Sequence, residues 1–383
     1  MKFTVDKNAF LEQLIPAMGT VSNKNTISSI EGVLIETLDD ESVQISTYDM
    51  NKGVRAVIHG VTVDEPGSNI INAQRLFSVV RVMPDDDMTI EVNDKFITSL
   101  SCGKSEFSMV ALPGSDFPNL PDLISDRGFS VSAEVLRKLI GKVSHSVAEA
   151  DNRPMLCGAF FKVNKEGIEV VSTDSFILSK VRQNCEIEKL GIEEADQLSF
   201  IIPGHALGEL TKILSNLEDQ KVAFYLSRKH AIIKGENITF FTRTIDSEYL
   251  DYNRVIPRNN DIVIEVDRER FLSGLDRANI IAEEKIQGSG KSYVKLHVGE
   301  QTLTMTSVSV NGKVSDEMDI VHEGGDIDIG FNCRYLMNSV KVAEGEAIRM
   351  SMKAPTQAVV IEPVEKDEDF DYLYMVLPVR MNG

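Results

Sequence analysis

An α+β chain of three repeated domains, each made of two β-α-β-β-β units, is the fold class the sequence predicts, and three observations carry it. One segment recurs: Val5-Asp6-Lys7-Asn8-Ala9-Phe10-Leu11-Glu12-Gln13-Leu14 is matched without a gap by Val266-Asp267-Arg268-Glu269-Arg270-Phe271-Leu272-Ser273-Gly274-Leu275. With one residue deleted, Val131-Ser132-Ala133-Glu134-Val135-Leu136-Arg137-Lys138-Leu139 fits the same pattern. Each copy also holds a second strand-to-helix passage, at Ile70–Phe77, Ile201–Leu207 and Ile329–Leu336, in which Leu76, Leu207 and Leu336 correspond. Around these six helical segments lie short strand-like runs, and one helix per three or four strands means α+β units with antiparallel sheet.

Taken in order, Met1 to Asp6 alternates like a strand and leads into the first helix window, Asp6–Met18. Val33–Thr37 and Met88–Val92 read as strands, the second through the alternation of Met88, Ile90 and Val92. Gly167–Val171 and Val359–Ile361 are further strand-like runs in the later copies. The three copies divide the chain into 1–125, 126–255 and 256–383.

Composition narrows the function. The 383 residues are 42% hydrophobic and 26% charged, as in an ordinary folded protein. The net charge of −19 argues against a simple basic coat for nucleic acid or a polybasic membrane binder, so any phosphate contact is local. No segment approaches the ~18 apolar residues of a membrane span, and the amino terminus lacks a signal-peptide core; a cytoplasmic protein is expected. Cys102, Cys157, Cys185 and Cys333 are scattered without a C-x-x-C pair, which predicts reduced thiols and neither a disulfide frame nor a zinc site.

Charge is unevenly spread along the repeat. The six helix windows together carry +5 and the rest of the chain −24, and Arg81, Lys212 and Lys341 share one repeat position. A basic helix layer on an acidic body suits loose Coulombic contact with phosphate, although a solvated helix face has the same charge pattern.

Catalytic constellations fail on spacing. Gly288-Ser289-Gly290-Lys291-Ser292 resembles the end of a phosphate loop, but Lys285 stands where its first Gly belongs and a strand follows instead of a helix, so a hairpin turn is the better reading. A nucleotide-dependent enzyme using the Gly288–Ser292 turn remains as the alternative. The six histidines show no metal spacing, and Asp85-Asp86-Asp87 and Glu365–Asp369 read as acidic turns. No catalytic residue, metal or cofactor is expected.

The triplicated unit, the opening Met1-Lys2-Phe3-Thr4-Val5, Phe117-Pro118-Asn119-Leu120, Thr173-Asp174, Asp251-Tyr252-Asn253-Arg254-Val255 and Leu377-Pro378-Val379-Arg380 together resemble the bacterial DNA polymerase III beta subunit family of sliding clamps, over the whole chain. The resemblance implies three clamp domains per chain and a ring closed by a head-to-tail homodimer around duplex DNA. Such a ring gives a polymerase processivity without catalysis, and ATP hydrolysis belongs to a separate clamp loader. It implies that Lys24, Arg81, Lys142, Lys212 and Lys341 face the hole and contact DNA, and that Phe107 and Met109 meet Ile280 and Ile281 of a second subunit. It further implies a partner-peptide pocket at Leu156, Thr173, Ser175, Phe176, Ile177, Leu178, Leu250, Arg254, Val255, Leu377, Pro378, Val379 and Arg380, with Leu178, Val255, Leu377 and Val379 as its floor. The expected partners are the replicative polymerase, the clamp loader, repair and translesion polymerases, ligase and mismatch-repair proteins, which dock through short Leu- and Phe-containing motifs. Ser175-Phe176-Ile177 stands where relatives often have Gly-His-Arg, Leu250 where Pro is frequent, and Met381 where the final Leu is usual, with Asn382-Gly383 beyond.

Overall fold

A computed structural model describes residues 1–22, 28–121, 123–193, 196–217, 219–282, 293–310 and 312–381. Six helices are present among them: α1 (Lys7–Met18), α2 (Ala73–Val82), α3 (Ala133–Val143), α4 (Gly204–Ser215), α5 (Arg268–Ala282) and α6 (Cys333–Val342). Each begins at the end of a strand, as the six units require; among the described residues three further strands follow α2, α4 and α6, and four follow α1, α3 and α5 before the next unit opens. The expected Gly288–Ser292 turn lies outside the described residues.

The repeated sequence signatures are helix starts. Asp6 and Asp267 hold the same place, and each carboxylate accepts a hydrogen bond from a backbone N–H in the first turn, from Ala9 at 2.8 Å and from Arg270 at 2.7 Å. Asn72 and Asn332 cap α2 and α6 in the same way, on the N–H groups of Arg75 and of Arg334 and Tyr335. These side chains satisfy donors that a helix start leaves unpaired, which is why a short polar residue stands at each boundary. The apolar positions then point inward: Phe10 and Leu14 match Phe271 and Leu275, and all four are buried. Leu76, Leu207 and Leu336 are buried as well.

The described chain forms two compact units. The first comprises Met1–Arg137, Glu188–Glu194 and His205–Thr244; the second comprises Lys138–Ile187, Ala195–Gly204 and Ile245–Gly383. In the first, a 14-stranded sheet runs through both the first repeat and part of the second; in the second lie sheets of 9 and 4 strands. The units differ from the sequence repeats because hydrogen-bonded strands cross the repeat boundaries. Lys52–His59 pairs antiparallel with Ile238–Arg243, and Ile177–Asn184 with Phe370–Val376. Within the units α1 packs on α2 and α5 on α6.

Each repeat also has a short strand that the sequence pattern did not reveal. Thr62–Glu65, Glu188–Leu190 and Val321–Glu323 pair with the first strand of their own repeats. They are only three or four residues long and mostly exposed, so no alternation marks them. The four cysteines are free thiols, as expected.

In the second unit a polar seam lies under the sheet joint. Ser146 Oγ contacts Ser172 Oγ and donates to Ser179 Oγ at 2.7 Å, while His145 Nε2 lies 3.3 Å from Ser179 Oγ and 3.5 Å from Ser339 Oγ. The imidazole stands edge-on to Tyr374, with ring centroids 5.7 Å apart, and its Nδ1 is buried with no hydrogen-bond partner among the described residues. Burial disfavours the charged ring and pushes its pKa down to about 4. The unfolded chain, with an ordinary histidine near 6.5, therefore takes up a proton that the native state refuses. Native stability is full above about pH 6.5 and falls as pH drops toward 4, by roughly 1–3 kcal/mol from this residue alone. Urea titrations at stepped pH should show a smaller loss between pH 6.5 and 4 for His145→Gln than for wild type. Identical pH dependence in the two would contradict the assignment.

Candidate functional site

The best-defined candidate site lies in the second unit, where the turn 174–176 meets the carboxy-terminal segment and the 249–256 segment. The turn is built by one carboxylate. Asp174 Oδ1 accepts from the N–H groups of Phe176 and Ile177, both at 2.8 Å, and Thr173 Oγ1 donates to the carbonyl of Ile177. Ser175 takes φ +80°, the left-handed region that a residue with a Cβ enters at a cost, and here the surrounding bonds hold it there. Arg153, which the sequence reading did not single out, donates from Nη2 to Ser175 Oγ at 2.8 Å and forks onto Asp151 with two bonds of 2.9 Å. Those bonds hold the Asp151 carboxyl down to about 2.

The carboxy-terminal segment is tied down on both sides. Leu377 N–H donates to the carbonyl of Phe176 at 2.8 Å, and Val379 N–H donates to the carbonyl of Gly330 at 2.8 Å. Beneath it lies an apolar cluster of Val171, Leu178, Tyr252, Ala358 and Met375, with Phe160, Tyr249, Leu250, Ile256, Leu373 and Leu377 packed against it. Phe160 and Tyr249 stack at 4.9 Å. The structure thus brings Leu178, Leu250 and Leu377 together, with Thr173, Ser175 and Phe176 at the adjoining turn. Leu156, Ile177 and Leu178 are buried, so they support the surface from below and do not themselves present it. Leu178 lies in this cluster beside Met375, its partner on the neighbouring strand, with Leu250 and Leu377 packed against the cluster. The exposed apolar groups are Val255, at 49%, and Phe176, at 55%, whose ring stacks on Tyr335 at 6.0 Å. Arg254 extends into solvent beside them, paired with Asp251 at 2.8 Å. Pro378 and Val379 are half-buried and Arg380 exposed.

The first unit repeats the turn without the open surface. Asp49 Oδ1 accepts from Asn51 and Lys52 N–H at 2.9 and 2.8 Å, and Met50 has φ +74°. The residues behind it differ. Phe241 faces Gly53 across the strand joint, and a Cβ on Gly53 would lie 2.4 Å from that ring. Tyr48 packs on Phe241 at 5.6 Å. The corresponding residues of the second unit are Thr173, Leu178 and Met375, so aromatic rings fill the first joint and flexible aliphatic chains line the second.

Four of the five expected DNA-contacting cations are described; Lys24 lies outside the described residues. Arg81, Lys212 and Lys341 are the ninth residues of α2, α4 and α6, confirming their shared repeat position. All three are exposed. Arg81 sits 5.8 Å from the centroid of the Phe77 ring, and Lys212 pairs with Glu209 at 3.2 Å. Lys142 is more enclosed, paired with Glu344 at 2.9 Å. Phe107 and Met109 lie on the strand Ser105–Pro113, and Ile280 and Ile281 near the end of α5; Phe107 and Ile280 are exposed, at 39% and 70%. Among the described residues, no group of His, Cys, Asp and Glu has a metal-holding arrangement, and no helix is long and apolar enough to cross a membrane.

Comparison with known proteins agrees along the whole length. Residues 1–121 match the N-terminal domain of the DNA polymerase III beta subunit, 130–251 its central domain and 253–380 its C-terminal domain. The beta sliding clamp of Staphylococcus aureus is 26% identical over 389 residues, spanning 99% of each chain. Among solved structures, the DNA polymerase sliding clamp from Bacillus subtilis superposes with a TM-score of 0.89 at 28% identity, covering 100% of both chains. A putative DNA polymerase III beta subunit from Eubacterium rectale gives 0.89 at 26%, with the same coverage. With its three repeats matched in order by all three domains, the chain belongs to the DNA polymerase III beta subunit family.

Proposed function

We propose that the chain is a non-catalytic sliding clamp: two copies close head to tail around duplex DNA, and the ring tethers a replicative polymerase and other DNA-processing proteins. One observation carries the reading, the pairing of strands across repeats. In each of the two joints the strand that ends one repeat's first β-α-β-β-β unit pairs with the last strand of the next repeat. Two strands are left over. Lys313–Asp319 is the edge of the four-stranded sheet, and Ser105 to Val110 pair only with Ile97–Cys102. The same rule, applied between two chains, matches these two edges to each other, and doing so twice closes a ring in which both are paired. Counting from the flanking turns, Lys313 takes the place of Gly53 and Ser108 that of Phe241, which sets Val314 opposite Phe107.

The charge distribution supports an encircling role. Exposed cations recur at one helix position on a chain of net charge −19, an arrangement suited to diffuse phosphate contact that does not fix position. The apolar surface around Phe176, Val255 and Leu377 suits a short partner segment with Leu and Phe side chains, docking from an otherwise flexible tail. The replicative polymerase, the clamp loader, repair and translesion polymerases, ligase and mismatch-repair proteins are the proposed users of this surface.

Two tests follow. Ile280→Asp puts an unpaired charge into the proposed apolar contact with Phe107 and Met109 of the second copy, so the variant should sediment as a monomer at submicromolar concentration. A retained dimer would count against this closure. For the partner surface, Leu377→Ala combined with Val255→Asp should weaken a labelled pentapeptide ending in Leu-Phe by about 10-fold or more, the usual cost of losing a central anchor, and remove polymerase stimulation on a primed circle. The dimer should persist. Unchanged affinity would mean that partners dock elsewhere.

A further inference from the structure

We infer that Glu344 sets how firmly the helix layer grips a phosphate backbone, by holding Lys138 and Lys142 in competition with DNA; the inference rests on the clamp reading above. The two lysines stand one turn apart on α3, whose opposite face buries Leu136, Leu139, Ile140 and Val143. One carboxylate, just past the end of α6, takes both: Lys142 Nζ lies 2.9 Å from Glu344 Oε1 and Lys138 Nζ 3.3 Å from Oε2. Lys142 also donates to the carbonyl of Val342, at the carboxy-terminal end of α6, and Lys138 lies 3.6 Å from the centroid of the Phe370 ring.

The pairing is more enclosed than that of Lys212. The Lys142 and Lys138 side chains are 15% and 34% exposed, whereas Lys212, paired with Glu209 one helical turn away, is 71% exposed and its pair is screened by water. Burial opposes ionisation of Glu344, yet the hydrogen bond and charge of Lys142, with those of Lys138, keep its carboxyl below the usual range. The carboxylate is therefore present at neutral pH. A phosphate approaching α3 must displace it, so two cations that would otherwise neutralise phosphates contribute little to a static grip. A body that must slide is served by a weak grip.

The test is equilibrium binding of the full chain to a short blunt linear duplex, which cannot retain a ring, measured across a salt series. Each phosphate newly neutralised steepens the plot of log affinity against log salt by about 0.9. Glu344→Gln should bind more tightly at low salt with a slope steeper by between about 1 and 2, and adding Lys142→Ala should remove about one of those units. Glu236→Gln, which changes net charge equally at an exposed hairpin turn, should leave the slope unchanged. A Glu344→Gln slope equal to wild type, or an equal shift in Glu236→Gln, would overturn the inference. Wild-type protein that leaves an uncut circle as fast as a linear duplex would instead sink the clamp reading, whatever the slopes.

Discussion

Strand edges govern this molecule. A sheet ends in unpaired N–H and C=O groups, and each repeat carries one such edge at either side. Inside the chain the edges meet twice, through Lys52–His59 with Ile238–Arg243 and through Ile177–Asn184 with Phe370–Val376, so backbone hydrogen bonds join repeats as firmly as they join strands within one. The strands Ser105–Pro113, over Ser105 to Val110, and Lys313–Asp319 each keep one side unpaired, and the proposed ring joins them by the same rule. The proposed closure by a second copy extends this rule between chains, with sheets that join and helices that carry the recurring cations.

The two internal joints show how a repeated framework is put to different uses. Their turns are nearly superposable in logic, with Asp49 and Asp174 each accepting two backbone donors and Met50 and Ser175 each in the left-handed region. Side-chain volume separates them. Phe241 over Gly53, with Tyr48 against it, packs the first joint with rings. Thr173, Leu178 and Met375 leave the second with aliphatic groups beneath an exposed Phe176 and Val255. Flexible side chains such as Met can re-pack around an incoming segment in a way that interlocked rings cannot.

Much of the fold was legible because helix starts and core positions recur with the repeat: Asp6 and Asp267, Phe10 and Phe271, Leu76, Leu207 and Leu336 all play the roles their alignment assigned. The strands Thr62–Glu65, Glu188–Leu190 and Val321–Glu323 were not, since a short polar strand held by a neighbour's backbone has no side-chain period of its own. The candidate site was legible as a set of positions but not as a surface. Nothing in the order of residues says that Leu178 packs with Met375 and Leu377, that Arg153 reaches Ser175, or that Lys142 is held by a carboxylate some two hundred positions away. Those are contacts between distant segments, decided by how the sheets join.

The central claim is that binding to DNA is topological, with helix-layer cations supplying only a loose, salt-screened contact. The most direct measurement follows the protein after it is loaded onto a nicked circular duplex, washed at high salt, and the circle then cut once. The account predicts retention through the wash and prompt release from the free ends after cutting. Release from the intact circle during the wash, or retention on the linear product, would contradict it.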